Sequence, residues 1–88
     1  MITLAPLGPH AHMLSIGKLR VLFSYDQPVA FITDEANALG RWVRVPDDGL
    51  TKATRRHLEL HVPTGWEAPD HADFLHRLEL ALRMIRLG

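Results

Sequence analysis

Two histidines, His57 and His61, lie at positions i and i+4 of a segment that the sequence predicts to be helical. Residues at this spacing share one side of a helix, as two imidazole ligands of a single zinc ion must. A catalytic zinc helix also places a glutamate directly after its first histidine, because that carboxylate acts as a base on metal-bound water. Leu58 occupies the position here, so the sequence favours a locally hydrogen-bonded His57 and a surface His61, and it predicts no metal ion.

A second candidate site combines Arg55 and Arg56 with Thr51 and Thr54 at the start of the same helix. Hydroxyls, free amides and guanidinium groups converge at such a point and could bind a phosphate. Cations at a helix start oppose the helix dipole, however, and Glu59 can offset Arg55 at i+4. The favoured interpretation is a solvated cap in which the threonines are structural and the arginines face solvent.

A third candidate lies on a predicted sheet face, where Trp42 stands among Lys18, Arg20 and Arg44. An aromatic ring among cations suits base stacking or an anchor in a protein interface. The alternative is that the chain itself covers this face.

Catalytic residue sets are not evident in the sequence. Ser15 and Ser24 lie in strand patterns without a nucleophile elbow, and there is no glycine-rich phosphate loop. The acidic pairs at 34–35 and 47–48 fall in turns, where carboxylates bond to the backbone more often than they hold a metal. Cysteine is absent, which excludes thiolate metal sites and cysteine nucleophiles. We therefore expect a protein that is not an enzyme and needs no cofactor.

The composition is that of one small folded domain. The chain has 88 residues, of which 47% are hydrophobic, and its ten Lys and Arg balance its ten Asp and Glu. A dedicated nucleic-acid binder usually carries a basic excess, so binding to phosphates is not favoured. No apolar run approaches the roughly 20 residues needed to cross a bilayer, which predicts a cytoplasmic protein without membrane contact.

The elements that must position these residues begin with alternating strands. Residues 13–25 alternate, with a turn at Gly17-Lys18, and "PVAFITD" predicts a short apolar strand after them. "DEANALG" reads as a turn, and "RWVRV" reads as a strand whose valines face the core and whose Trp42 and Arg44 face outward. Residues 1–12 carry too many proline and glycine breakers for a helix, so we expect a loose N-terminal arm there and a single domain over 13–88.

Two helices follow the strands. The first is capped by Thr51 or Thr54 and ends near Val62, before a proline. The second begins near Pro69 and has a broad apolar face, predicted from Phe74, Leu75, Leu78, Ala81, Leu82 and Ile85. A second apolar stripe on that helix, which includes Leu80 and Met84, could form a partner surface or a homodimer interface. The expected fold is α+β, an antiparallel meander of three to four strands followed by two helices packed on one face.

Two segments also resemble a known family. "VLFSYDQPVAFI" and "LTKATRRHLELHV" are similar to a small domain of unknown function that is widespread in phages, prophages and archaea, over roughly residues 19 to 62. Departures are Gln27 and Ala53 where threonine is usual, and an enlarged connection "ITDEANALGRW". The positions that carry the resemblance are Ser24, Tyr25, Pro28, Val29, Ala30, Thr51, Thr54, Arg56, His57 and Leu58.

The resemblance implies a phage-type fold of sheet plus helix, in which Tyr25 and His57 come together as polar groups that pin the sheet to the helix. It also implies an origin in a mobile element. With no catalytic set, we expect a phage or prophage accessory protein that binds a host protein, plausibly as an inhibitor of a defence system of the anti-CRISPR type. The alternative is a nucleic-acid-binding accessory protein. The candidate partner-binding residues are Arg20, Trp42, Arg44, Arg55, Arg56, Leu80 and Met84.

Overall fold

A computed structural model describes residues 2–33, 42–62 and 65–87, with side chains up to Arg83. The elements in chain order are β1 (Ile2–Gly8), β2 (Ala11–Ile16), β3 (Leu19–Ser24), β4 (Gln27–Thr33), β5 (Trp42–Arg44), α1 (Lys52–His61), β6 (Trp66–Glu67) and α2 (His71–Leu87). The six strands form one sheet in that same order. Strands β1 to β5 are antiparallel neighbours, and β5 and β6 pair in parallel. The α+β class is confirmed, with six strands in place of three to four.

The prediction of a loose N-terminal arm over residues 1–12 is wrong for the described residues. Ile2–Gly8 is a strand, paired along β2 with Leu4 opposite Leu14. The proline and glycine that suggested a loose arm are both accommodated in the β1–β2 hairpin. Pro6 lies on an edge strand, where proline is tolerated, and the strand register shifts between Pro6 and Gly8. The expected turn at Gly17-Lys18 is present between β2 and β3, and Gly17 has a φ of 58°.

The core lies around β3 and β4. Consecutive residues point to opposite faces of a strand, and yet Val21 and Leu22 are both buried, as are Ala30 and Phe31. This part of the sheet is therefore buried on both faces. The buried apolar cluster consists of Leu19, Val21, Leu22, Val29, Ala30, Phe31, Val45, Leu58, Val62, Phe74, Leu78 and Ala81.

Helix α1 matches its prediction closely. Thr51 is the N-cap, its side chain accepts a hydrogen bond from the Thr54 amide, and Val62 is the C-cap. Thr54 and Leu58 are buried, so one side of the helix faces the core.

Helix α2 has a narrower buried face than expected. Phe74, Leu78 and Ala81 are buried, whereas Leu75 and Leu82 of the predicted core face are exposed. The Phe74 ring packs against Phe31 of β4, with centroids 5.6 Å apart. No helix in the described part of the chain is long and apolar enough to cross a membrane. The predictions for the 34–40 connection, and those for the side chains of Met84 and Ile85, lie outside the described residues.

Candidate functional site

Ser24, at the end of β3, joins the sheet to α1. Its Oγ lies 2.9 Å from Thr54 Oγ1 and 2.8 Å from His57 Nδ1. Thr51 Oγ1 donates to Thr54 Oγ1 over 3.2 Å and accepts from the Thr54 amide. We call these four side chains, Ser24, Thr51, Thr54 and His57, the hydroxyl–imidazole network.

One arrangement of protons satisfies the whole network. Each hydroxyl has a single proton to donate, and Thr51 donates to Thr54. Thr54 can then donate to Ser24, and Ser24 can donate to Nδ1 of His57. Nδ1 of His57 accepts the bond in this arrangement, and a bond donated by Nδ1 to Ser24 would fit the same distance. Ser24 and Thr54 are buried and nevertheless fully paired, as buried polar groups must be.

Two hairpin tips meet beside this network. The rings of His10, from the β1–β2 turn, and Tyr25, from the β3–β4 turn, stack with centroids 4.6 Å apart and an interplanar angle of 15°. The Tyr25 amide donates to the His10 carbonyl over 2.7 Å. Tyr25 also lies against His57, with centroids 6.2 Å apart, so the expected juxtaposition of Tyr25 and His57 is present. We call His10, Tyr25 and His57 the aromatic triplet.

The backbone of the triplet is unusual. His10 has a φ of 62° and Tyr25 a φ of 60°, and these are the only non-glycine residues with positive φ in the described part of the chain. A side chain in this left-handed region costs about 1–2 kcal/mol, and glycine is the residue that normally occupies it. Tyr25 is nevertheless 47% exposed, so its ring is not kept there by burial in the core.

The solvent side of α1 is basic. Lys52, Arg55 and Arg56 are all exposed, and the first helical turn carries no acidic residue. Together with Ala53 and Glu59 they line a shallow depression along the helix. The structure thus brings the two predicted arginines together with a lysine on the helix that carries His57.

Arg44 is not a surface residue, contrary to prediction. Its side chain is buried, with the residue 6% exposed, and it stacks over the Trp66 ring with its guanidinium carbon 4.7 Å from the ring centroid. Arg44 Nε donates to the Val45 carbonyl over 3.0 Å, and Arg44 pairs with Asp47. The physical reason is that β6 pairs next to β5, with Trp66 opposite Trp42, which brings the Trp66 ring against the Arg44 guanidinium.

The sheet register places Arg20, Trp42 and Arg44 on one face of the sheet, since Arg20 pairs with Ile32 and Arg44 with Ala30. Only Arg20 is exposed there, because Trp42 is half-buried and Arg44 is buried. Leu80 is exposed on α2. Strand β6 is also tied to α2, where Arg77 bonds to Glu67 over 2.7 Å and to Asp73 over 3.0 Å. The hydrogen bond that Arg77 donates to Glu67 raises the pKa of Arg77, and the charge of Asp73 adds to this against some desolvation.

Sequence reasoning missed His10 and the role of Ser24. The Ser-Tyr pair was visible in the resemblance, but the sequence holds no signal that brings His10 beside Tyr25. Among the described residues, no three histidine or carboxylate side chains are placed to hold a metal ion. Comparisons with known protein families, with curated proteins and with solved structures find no match to this chain.

Proposed function

We propose that this chain is a non-catalytic binding protein whose partner is another protein, engaged through the aromatic triplet and the adjoining basic side of α1. The observation that carries the proposal is the exposed His10–Tyr25 stack on two left-handed residues. Tyrosine is among the residues that most often anchor protein interfaces, because it offers a large rigid surface and a hydroxyl.

Backbone strain supports this assignment. Residues held in disfavoured conformations cluster at functional sites, and the inference runs from the observed outlier to the function. Glycine at His10 or Tyr25 would relieve the strain, yet both positions carry large rings that contribute little to the core. The rings themselves therefore account best for the residue choice.

The hydroxyl–imidazole network supplies rigidity. A binding surface loses less entropy on association when its side chains are already fixed. His57 is held by Ser24, and Tyr25 follows Ser24 directly in the chain, so the triplet rests on a buried and paired support.

A serine next to a histidine also resembles half of a nucleophile–base pair. Here the Ser24 residue is only 2% exposed and its hydroxyl is shared with Thr54, so the oxygen has no open approach for a substrate. A supporting role for Ser24 fits this burial better than catalysis.

A narrower proposal concerns the setting. The pattern of residues 19 to 62 favours a phage or prophage accessory protein that acts in the host cytoplasm and inhibits a host defence system of the anti-CRISPR type. This part rests on the resemblance in sequence alone. An acidic surface is the partner that the exposed Lys52, Arg55 and Arg56 would favour.

The second candidate function is nucleic-acid binding, and the same three cations of α1 favour it. Nucleic-acid binding by the sheet face around Trp42 is less favoured, because Arg44 is buried against Trp66. Binding to phosphates would fall steeply with salt, roughly as one power of salt concentration per phosphate contact.

The test is retention of partners from a bacterial lysate by immobilised wild-type protein and by Tyr25→Gly. Glycine suits a φ of 60°, so this variant keeps its fold while it loses the ring. Leu75→Ala on α2 serves as the matched control, because Leu75 and Tyr25 are both 47% exposed and Leu75 lies outside the proposed surface. We expect one protein species that wild type and Leu75→Ala retain and that Tyr25→Gly loses by at least tenfold.

Three outcomes would contradict the proposal. These are no retained protein, a retained protein that is indifferent to Tyr25→Gly, and retention of nucleic acid that disappears with added salt. The last outcome would establish the second candidate in its place.

A further inference from the structure

Strand β1 is an open edge of the sheet. It pairs with β2 on one side only, and in the described part of the chain no other strand lies beside it. Its seven residues extend over about 23 Å, at roughly 3.3 Å per residue. The backbone amides and carbonyls on the outer side of such a strand can be satisfied by water or by another strand.

This edge lacks the usual protection against pairing. Edge strands are commonly protected by lysine or other charges, yet β1 reads ITLAPLG and contains no charged residue. Pro6, which has no amide to donate, and the register shift between Pro6 and Gly8 protect the end of the strand only. Pairing is therefore restricted to the part of β1 before Pro6.

One face of β1 is also apolar and uncovered. Ile2 and Leu4 point to the same face and are among the most exposed large hydrophobic residues of the chain. Their neighbours on β2 are Ile16 and Leu14, which are half-buried. We call these four side chains the β1–β2 aliphatic patch.

We propose that β1 pairs antiparallel with β1 of a second copy of this chain. The occupant of the edge must be an extended strand, uncharged and with an aliphatic face, and β1 itself meets all three conditions. A twofold axis makes such an interface self-complementary, since residue i meets j and j meets i. Two copies with a net charge of zero also approach without mutual repulsion.

The register follows from Pro6 and from the patch. The two aliphatic patches lie on the same side of the joined sheet only if even-numbered residues of one copy lie opposite even-numbered residues of the other. Odd-numbered residues then lie opposite odd-numbered ones. Among such registers, Thr3 opposite Thr3 of the second copy avoids Pro6 and places Ile2 beside Leu4 of the second copy. The result is a continuous sheet of twelve strands, two times the six of one chain.

The first experiment measures the molar mass of the wild-type protein in solution at about 100 μM, well above a micromolar Kd. We expect a dimer. Leu4→Lys adds a charge to the exposed edge and should weaken association at least tenfold. Leu60→Lys is the matched control, since Leu60 is 65% exposed and Leu4 is 59% exposed, and it should leave the dimer intact.

The second experiment tests the register, and the absence of native cysteine makes it direct. Directly opposed residues of antiparallel strands have Cα atoms about 4.5–5.5 Å apart, within the range that a disulfide spans. Thr3→Cys should therefore form a covalent dimer on oxidation. Ala5→Cys should not, because in this register its two copies lie about 13 Å apart.

A monomer at 100 μM would overturn the proposal. The open edge of β1 would then be available for a strand of a different protein. A dimer that resists Leu4→Lys but dissociates on Leu80→Lys would also overturn it, and would place the interface on α2. Thermal unfolding by circular dichroism checks that each variant remains folded, so a loss of association is not a loss of fold.

Discussion

The Ser24 hydroxyl of β3 forms hydrogen bonds with Thr54 and His57 of α1, which lie 30 and 33 residues further along the chain. Replacement of Ser24 by alanine would remove the hydroxyl that bonds both Thr54 and Nδ1 of His57, while Thr54 keeps its bond to Thr51. An unpaired buried polar group costs about 1–3 kcal/mol, more than the hydrogen bond itself contributes. The consequences fall on α1 and on the aromatic triplet together.

We therefore expect Ser24→Ala to lower the free energy of unfolding by about 1–3 kcal/mol, measured by urea denaturation. Ser15→Ala is the control, because Ser15 is a half-buried strand serine for which no side-chain bond is found among the described residues. A loss of similar size in both variants would show that the network is not the cause.

Single residues of this site were only partly predictable from sequence. Thr51 as a cap and His57 as a hydrogen-bonding residue followed from local rules, because capping depends on neighbours in the chain. The partner of His57 proved to be Ser24 in addition to the neighbouring Tyr25 ring, and His10 was not foreseen. Contacts of this kind depend on how two hairpins and a helix dock, which no local pattern encodes.

Among the elements, β5 and β6 illustrate how a two-residue strand changes its surroundings. Arg44 is buried because Trp66 lies over it, and the Val45 carbonyl and Asp47 satisfy its guanidinium group. Arginine is suited to this place by its planar group, which stacks and donates at once, whereas lysine offers a single ammonium.

A double-mutant cycle tests this contact. Arg44→Met and Trp66→Leu each remove one partner of the contact and should each destabilise the fold. The two together should do so by about 1 kcal/mol less than their sum, the usual size of a cation–π interaction. Chemical denaturation provides the four free energies. Arg20→Met, at an exposed position of β3, is the matched control and should have little effect. Strict additivity would show that Arg44 and Trp66 do not interact.

Element types were predicted better than their surroundings. Alternation gave the strands of the 13–33 region and the helical spacing gave α1 and α2. The same alternation placed Arg44 outward, which was wrong because β6 is too short to be recognised by any periodic pattern. Strand β1 was missed because Pro6 and Gly8 are breaker residues, although the strand begins with the alternating residues ITL.

At the scale of the whole molecule, a single core holds both helices to the sheet, and Phe74 is its largest fully buried side chain. Phe74→Ala should cost about 3–5 kcal/mol through lost burial and a residual cavity. Small domains have only about 5–15 kcal/mol in total, so the variant should be largely unfolded at moderate urea concentration.

Leu75→Ala is the neighbouring control, because Leu75 is exposed on the same helix. Its expected loss is within about 0.5 kcal/mol. Urea midpoints of the two variants measure the difference, and equal midpoints would mean that α2 does not dock through Phe74. The fold class itself was predictable. Length and composition indicate one small folded domain, and the alternating and helical patterns indicate strands followed by helices.

The sequential order of the strands also bears on the kinetics of folding. Strands β1 to β5 each pair antiparallel with the strand before them, so the early contacts among them are hairpins, which close in about 1–10 μs. The Ser24–Thr54 bond closes a much longer loop and can form only after the hairpin that carries Ser24 has met α1. Ser24→Ala should therefore accelerate unfolding while it leaves the rate of refolding nearly unchanged, and the unfolding arm of a chevron plot would carry almost the whole effect.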